Sequence, residues 1–322
     1  MQNIESKIKE NVSLKNFSTF KIGGEAELFL EIKEKEDLID AFNFAHENST
    51  KCPEGKKIHI LGGGSNTLIN DGLIEGLVLV FKNDSLGVKG ERIEVQAGTK
   101  LGRALHLSVS NNLSGLEWSA GIPGATLGGA IRGNAEAFGN SIGVLVETVE
   151  AFDIDKKQFL TLSNRDCLFS YRNSLFKEKN NLIIWGAVLK LRKEKSELVK
   201  NLMEEAVLFR TKKYPKLPSI GSIFKNVALK EVEENNPLLF NEIKDKIDNR
   251  LGNVGAGLLI DMAGLKGKTI GGAKISLEHA NHIVNTGKAT AKDVITLISL
   301  IKQKIRNNFK IQLREEIYYL GF

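Results

Sequence analysis

Between Gly121 and Gly133 the chain places five glycines, in the run Gly121-Ile122-Pro123-Gly124-Ala125-Thr126-Leu127-Gly128-Gly129-Ala130-Ile131-Arg132-Gly133. Each glycine forgoes side-chain burial and loses more backbone freedom on folding than any other residue. So dense a run weakens ordinary packing, and a large ligand lying against bare backbone explains it best. A second run, Gly62-Gly63-Gly64-Ser65-Asn66, follows the strand-like Ile58-His59-Ile60-Leu61. Glycines there let N–H groups approach phosphate oxygens, while Ser65 and Asn66 add side-chain hydrogen bonds, so a pyrophosphate is the natural guest. This is not the dinucleotide fingerprint of a Rossmann fold, because the third glycine position is Thr67 and a strand pattern, rather than a long helix, follows. Gly264-Leu265-Lys266-Gly267-Lys268-Thr269 imitates the end of a P-loop, yet the glycine required five positions before Gly267 is Met262.

Apolar spacing around these loops predicts a helix over 37–46, strands over Leu77–Phe81 and Arg92–Gln96, and a helix over Leu101–Asn111. Val144–Asp153 and Phe159–Leu162 read as a hairpin around Asp155-Lys156-Lys157, with a further strand over Ile183–Leu191. A charged amphipathic helix over Ser196–Lys212 leads to a second region, so the boundary is expected near residue 205, with lobes of about 1–84 and 85–204 before it. In the region 205–322, Thr290-Ala291-Lys292-Asp293 opens a helix whose stripe of Val294, Leu297, Ile298, Ile301 and Ile305 must pack on a sheet. The order of elements is α+β, or α/β in irregular order.

Several functional classes drop out. Cys52 and Cys167 are far apart, have no ligand-spaced neighbours and are too few for a disulfide framework. The residues at 1–7 carry charge where a secretion signal needs an apolar core, and no stretch approaches the roughly 18 apolar residues of a membrane span, so a cytoplasmic protein is expected. The formal charge of +6, concentrated in 210–216 and 302–310, favours anionic partners, and such runs usually form solvated helix faces. No zinc-finger spacing, RNA-stacking motif or basic zipper appears, so nucleic acid is a poor specific candidate, and phosphorylated small molecules fit the charge balance equally well. The five histidines lie in no nucleophile-elbow context, and His279 and His282, three apart in a strand-like run, should point to opposite faces and form no metal pair.

Six segments, taken in order, resemble one family, the flavin reductases that make UDP-N-acetylmuramate. Asn16-Phe17-Ser18-Thr19-Phe20-Lys21-Ile22-Gly23-Gly24 is similar to its opening FAD motif, Leu61–Asn66 to its pyrophosphate loop, and Gly115–Ala120 with Gly121–Ala130 to its flavin-ring loop. Cys167–Lys177 and Gly221-Ser222-Ile223-Phe224-Lys225-Asn226 resemble its substrate motifs, and Leu313-Arg314-Glu315-Glu316-Ile317 its C-terminal acidic motif. The resemblance implies a two-lobed FAD-binding domain of the vanillyl-alcohol-oxidase type and a C-terminal α/β substrate-binding domain. The short stretch from Trp185 to Tyr214 looks like the subclass lacking a tyrosine loop.

For the reaction, the resemblance implies that NADPH reduces FAD, which then reduces a UDP-sugar enolpyruvyl ether in peptidoglycan precursor synthesis, in a monomeric enzyme without membrane or nucleic-acid partners. It assigns the cofactor to Gly62, Gly63, Gly64, Ser65, Asn66, Gly121, Ile122, Pro123, Gly124, Gly128, Gly129, Ala130 and Asn134, and the substrate to Tyr171, Lys225 and Asn226. Arg172 would hold the carboxylate through its fork of donors, Glu316 would donate a hydrogen bond to the developing enolate, and Ser222 would protonate the α carbon. Three departures stand out: Glu136 where the family has glycine, Val227 where proline is common, and a charged insertion over 229–250. Two rival readings remain at this point, an FAD-dependent oxidase or dehydrogenase of another small carboxylate or hydroxylated substrate, and a non-catalytic nucleotide or nucleic-acid binding module that uses the glycine loops and basic patches without flavin.

Overall fold

The computed structural model describes residues 4–47, 57–245 and 252–322. Its contacts divide the chain into two compact units. The first comprises Met1–Ser13, Glu25–Gly63 and Leu73–Arg210, and the second Leu14–Gly24, Gly64–Gly72 and Thr211–Phe322. Two short segments of the N-terminal region thus belong with the C-terminal unit.

In the first unit a four-stranded sheet runs in the order Lys9–Ser13, Glu25–Ile32, Leu73–Phe81, Ile58–Leu61. The outer pair at Lys9–Ser13 is antiparallel and the other pairings are parallel. Leu77 to Phe81 is buried without a break, as a parallel strand covered on both faces requires. The helix Lys35–Glu47 buries Leu38, Ala41 and Ala45, and its Asp37 accepts from the N–H groups of Lys33 and Glu34, both at 2.9 Å, satisfying donors at the start of the helix.

A second sheet of five antiparallel strands runs Gln158–Ser163, Val146–Asp153, Leu182–Lys190, Arg92–Gln96, Leu86–Lys89. The expected hairpin forms around Asp153–Lys157, but its first strand begins at Val146 because Ile142–Leu145 makes one helical turn. Both sheets contribute to one apolar core that includes Leu79, Ile93, Leu127, Phe152 and Trp185. Cys167 is fully buried there, and burial pushes its thiol up to about 11, which makes it a poor nucleophile. Cys52 lies outside the described residues.

The core of the second unit is built on the helix Ala291–Phe309 and the three-stranded sheet Thr269–Ile270, Ala273–Ile275, Ile283–Asn285. The predicted capping box is present: Thr290 Oγ1 accepts from Asp293 N, and the Asp293 carboxylate accepts from Thr290 N. Val294, Leu297, Ile298, Ile301 and Ile305 are all buried, each worth about 1.5–3 kcal/mol relative to exposure. Asp71, from the segment Gly64–Gly72, accepts from the N–H groups of Ala291 and Lys292 at the same helix start. The segment read as an insertion forms the helices Leu229–Asn235 and Pro237–Ile243, which bury Val232, Leu239 and Ile243 in this core; residues 246–251 lie outside the described residues. Val227, in place of the family's proline, is buried and pairs with Val254.

Candidate active site

In the second unit the segment Gly221–Asn226 is held on both sides as a strand would be. Ile223 N donates to Asn281 O at 2.9 Å, and the buried Asn281 side chain accepts from Phe224 N at 2.9 Å and donates to Phe224 O at 2.8 Å. On the other side Glu316 N donates to Ile223 O at 2.8 Å and Lys225 N to Arg314 O at 2.9 Å. Ser222 and Glu316, 94 positions apart, therefore flank the same residue, Ile223.

Asn66, at the end of the first glycine run, joins this group, donating from Nδ2 to Glu316 O at 3.2 Å and accepting at its carbonyl from Tyr318 N at 2.9 Å. The strand Tyr318–Leu320 pairs in parallel with Thr67–Ile69, which fixes the register between the glycine loop and the C-terminal motif. Thr19 adds the N-terminal motif: its N–H donates to Gly64 O at 3.1 Å and its hydroxyl to Ser219 O at 2.7 Å. Asn226 is engaged at the start of the helix Ala256–Met262, accepting from Ala256 N at 3.3 Å and donating to Asn253 Oδ1 at 3.1 Å.

In the first unit Tyr171 and Arg172 form the tip of a tight turn closed by paired backbone bonds between Ser170 and Asn173, each 3.1 Å. Arg172 has φ of 53°, a left-handed backbone that residues other than glycine adopt uncommonly. Buried Asn134 supports it, donating to Ser170 O at 2.8 Å and accepting from Gly143 N at 3.0 Å. Its side-chain amide thus holds the turn that carries Arg172. Lys177 Nζ, 3.1 Å from the Arg172 carbonyl, holds the other end.

The two glycine loops meet in this unit. A methyl group at Gly63 would lie 1.8 Å from Gly124 O, one at Gly62 3.0 Å from Thr126 Oγ1, and one at Gly128 2.9 Å from Ala97 Cβ. The close approach requires glycine, as the sequence pattern implied. The N–H group of Gly63, and in the second unit those of Gly64 and Ser65, donate to no acceptor among the described residues, donors of the kind an anion takes. Beside the second loop, Glu117 Oε1 and Trp118 Nε1 are buried with no hydrogen-bond partner among the described residues. Glu136 is half-buried in the short hairpin that follows, Glu136–Ala137 paired with Asn140–Ser141.

Two expectations are corrected. His279 and His282 do not point apart: the chain turns over 277–281, so pleat periodicity does not apply, and their ring centroids lie 4.7 Å apart beside Tyr214. Burial lowers both imidazoles, and together with neighbouring His279 it brings His282 to about 3. Nor is the whole 210–216 run a solvated face, since Arg210 is 6% exposed. Asn281 was not anticipated as a support for Ser222; an asparagine between two histidines carries no signal of the backbone it will imitate.

Three comparisons bear on this geometry. Residues 212–320 match the family model for the C-terminal domain of UDP-N-acetylenolpyruvoylglucosamine reductase, and residues 26–154 match an FAD binding domain. The UDP-N-acetylenolpyruvoylglucosamine reductase of Caldanaerobacter subterraneus is 35% identical over 98% of this chain and 95% of its own length, and that of Clostridium novyi is 31% identical over 98% and 93%. The crystal structure of the reductase from Thermus caldophilus superposes with a TM-score of 0.75 at 30% identity, covering 96% of this chain and 97% of that one.

Proposed function

Because this chain belongs to the family of UDP-N-acetylenolpyruvoylglucosamine reductases, we propose that Arg172, Ser222 and Glu316 carry out its reaction, the NADPH-dependent reduction of UDP-N-acetylglucosamine enolpyruvate to UDP-N-acetylmuramate. The observation that carries the assignment is the backbone pairing that sets Ser222 and Glu316 on either side of Ile223 with Asn66 alongside.

The residues present fit FAD. The donors at Gly63, Gly64 and Ser65 would take the pyrophosphate, and the bare backbone of Gly121–Ala130, with the unpartnered polar atoms of Glu117 and Trp118 next to it, would take the remainder. No His or Cys lies in either loop to attach it covalently. When bound, FAD supplies the redox chemistry, taking two electrons from NADPH and delivering them to the enolpyruvyl double bond.

The chain's own residues manage charge and proton. Arg172 binds the substrate carboxylate with two parallel donors, where negative charge develops as the double bond is reduced. Glu316 contributes a further hydrogen bond at that carboxylate, and the Ser222 hydroxyl delivers the proton to the α carbon. Tyr171, Lys225 and Asn226 contact the UDP-sugar, Lys225 by charge. The proposed setting is a cytoplasmic monomer, for which the absence of a disulfide framework is the support in the case of location. Among the described residues no helix is long and apolar enough to cross a membrane.

The test follows NADPH consumption by the FAD-loaded protein with the enolpyruvyl ether. Turnover that requires both is expected. Oxidation of another small carboxylate or hydroxylated compound, with no reaction toward the enolpyruvyl ether, would favour the oxidase reading instead.

A further inference from the structure

Arg210 is buried although it carries a full charge, and it is the last residue of the first unit. Its Nη1 donates to Ala120 O at 2.5 Å and its Nη2 to Trp118 O at 2.8 Å. One planar fork engages both carbonyls from two separate nitrogens, a fixed geometry that the single ammonium nitrogen of a lysine does not supply. The two carbonyls belong to the turn that enters the glycine run, and Gly121 itself, at φ of 79°, lies against the Arg210 stem: a methyl there would be 3.4 Å from Arg210 Cδ.

Phe138 lies over the guanidinium, its ring centre 4.9 Å away, and packs edge-on against Phe209 at 5.2 Å. Phe138 sits at the tip of the hairpin formed by Glu136–Ala137 and Asn140–Ser141, with φ of 52°. For a bulky side chain that is an outlier, maintained only where the surroundings over-determine it, and such strain gathers at functional sites. One buried cation therefore joins the segment before Gly121–Ala130 to the hairpin just after Asn134.

We propose that Arg210 is a positioning residue, clamped under Phe138, that fixes both ends of the backbone stretch on which FAD lies. The inference rests on the proposed use of Gly121–Ala130 for the cofactor. Neither residue touches the reacting atoms in this scheme; both act through the loop.

The test uses the full chain stripped of flavin and reads FAD affinity by flavin fluorescence, the visible spectrum of the reconstituted protein, and the thermal midpoint without cofactor. Arg210→Met should weaken FAD binding at least tenfold and shift the bound-flavin bands, and Arg210→Lys should restore little of the loss. Phe138→Gly should weaken FAD several-fold while the flavin-free midpoint stays level or rises, because glycine accepts the left-handed backbone freely. That split is what a purely structural role would not produce. If both Arg210→Met and Phe138→Gly bind FAD within twofold of the parent, the clamp is overturned. It is equally overturned if Arg210→Met loses affinity only in step with its midpoint and Phe138→Gly is unaffected. A parent protein that fails to bind FAD would overturn the functional reading beneath, and the clamp with it.

Discussion

Replacing Gly63 by alanine tests the meeting of the two glycine loops with one carbon atom. The added methyl would lie 1.8 Å from Gly124 O, whereas real side-chain carbons essentially never approach closer than 3.0 Å, so one backbone must retreat by more than 1 Å. The obstacle is main chain on both sides, so rotamer changes cannot relieve it. Overpacking of this kind costs about 1–3 kcal/mol, which corresponds to roughly 5- to 150-fold in an equilibrium. Since the retreat displaces the donors at Gly63, Gly64 and Ser65, the loss should appear as weaker FAD binding, measured by fluorescence titration of the flavin-free protein. Gly102→Ala is the control: it lies in the helix Leu101–Ser110 with nothing within 4 Å of the new methyl, and should gain up to about 1 kcal/mol of stability without affecting FAD. Undiminished FAD affinity in Gly63→Ala would refute the argument that this contact shapes the cofactor site. Equal loss in Gly102→Ala would show that the assay reads general destabilisation.

Ser222→Ala should leave the NADPH-to-flavin half-reaction nearly untouched and slow reoxidation by the enolpyruvyl substrate by more than about 100-fold, with stopped-flow absorbance timing each half; equal slowing of both would assign Ser222 to the fold or the cofactor. Arg172→Lys, which forfeits the paired donors, should lower turnover by roughly 10- to 150-fold with little change in FAD affinity, and flavin loss with normal turnover after resupply would make its role structural. His282 should make the second unit acid-sensitive. Its folded value of about 3 lies below the ordinary 6.5, so the unfolded chain binds the proton more readily, and stability is present above pH 6.5 and lost as pH falls toward 3. Between pH 6.5 and 5 the loss is about 1.6 kcal/mol, and His282→Phe should flatten that part of a urea-melt pH series; an unchanged slope would mean that other groups carry it.

Local patterns reached far along this chain. The unbroken apolar run Leu77–Phe81, the capping box at Thr290–Asp293 and the stripe from Val294 to Ile305 each encode a period or a donor–acceptor match within a few residues, and the structure realises all three. The glycine runs were legible for a related reason: close backbone approach excludes a Cβ, so the requirement is written into the residue type itself. Resemblance in six ordered motifs then supplied the chemistry that spacing alone left open.

What remained for tertiary structure were relations between distant segments. That Leu14–Gly24 and Gly64–Gly72 associate with residues beyond 211 follows from bonds such as Asp71 to Ala291 N and Thr19 to Ser219, which no local period announces. The turn at 277–281 brought together two histidines that strand periodicity would separate, and Arg210 found carbonyl partners 90 and 92 positions away. Charge and hydropathy rank a residue's preference for water, but whether a buried donor is satisfied depends on which acceptors folding brings within 3 Å of it, and that is decided by three-dimensional packing.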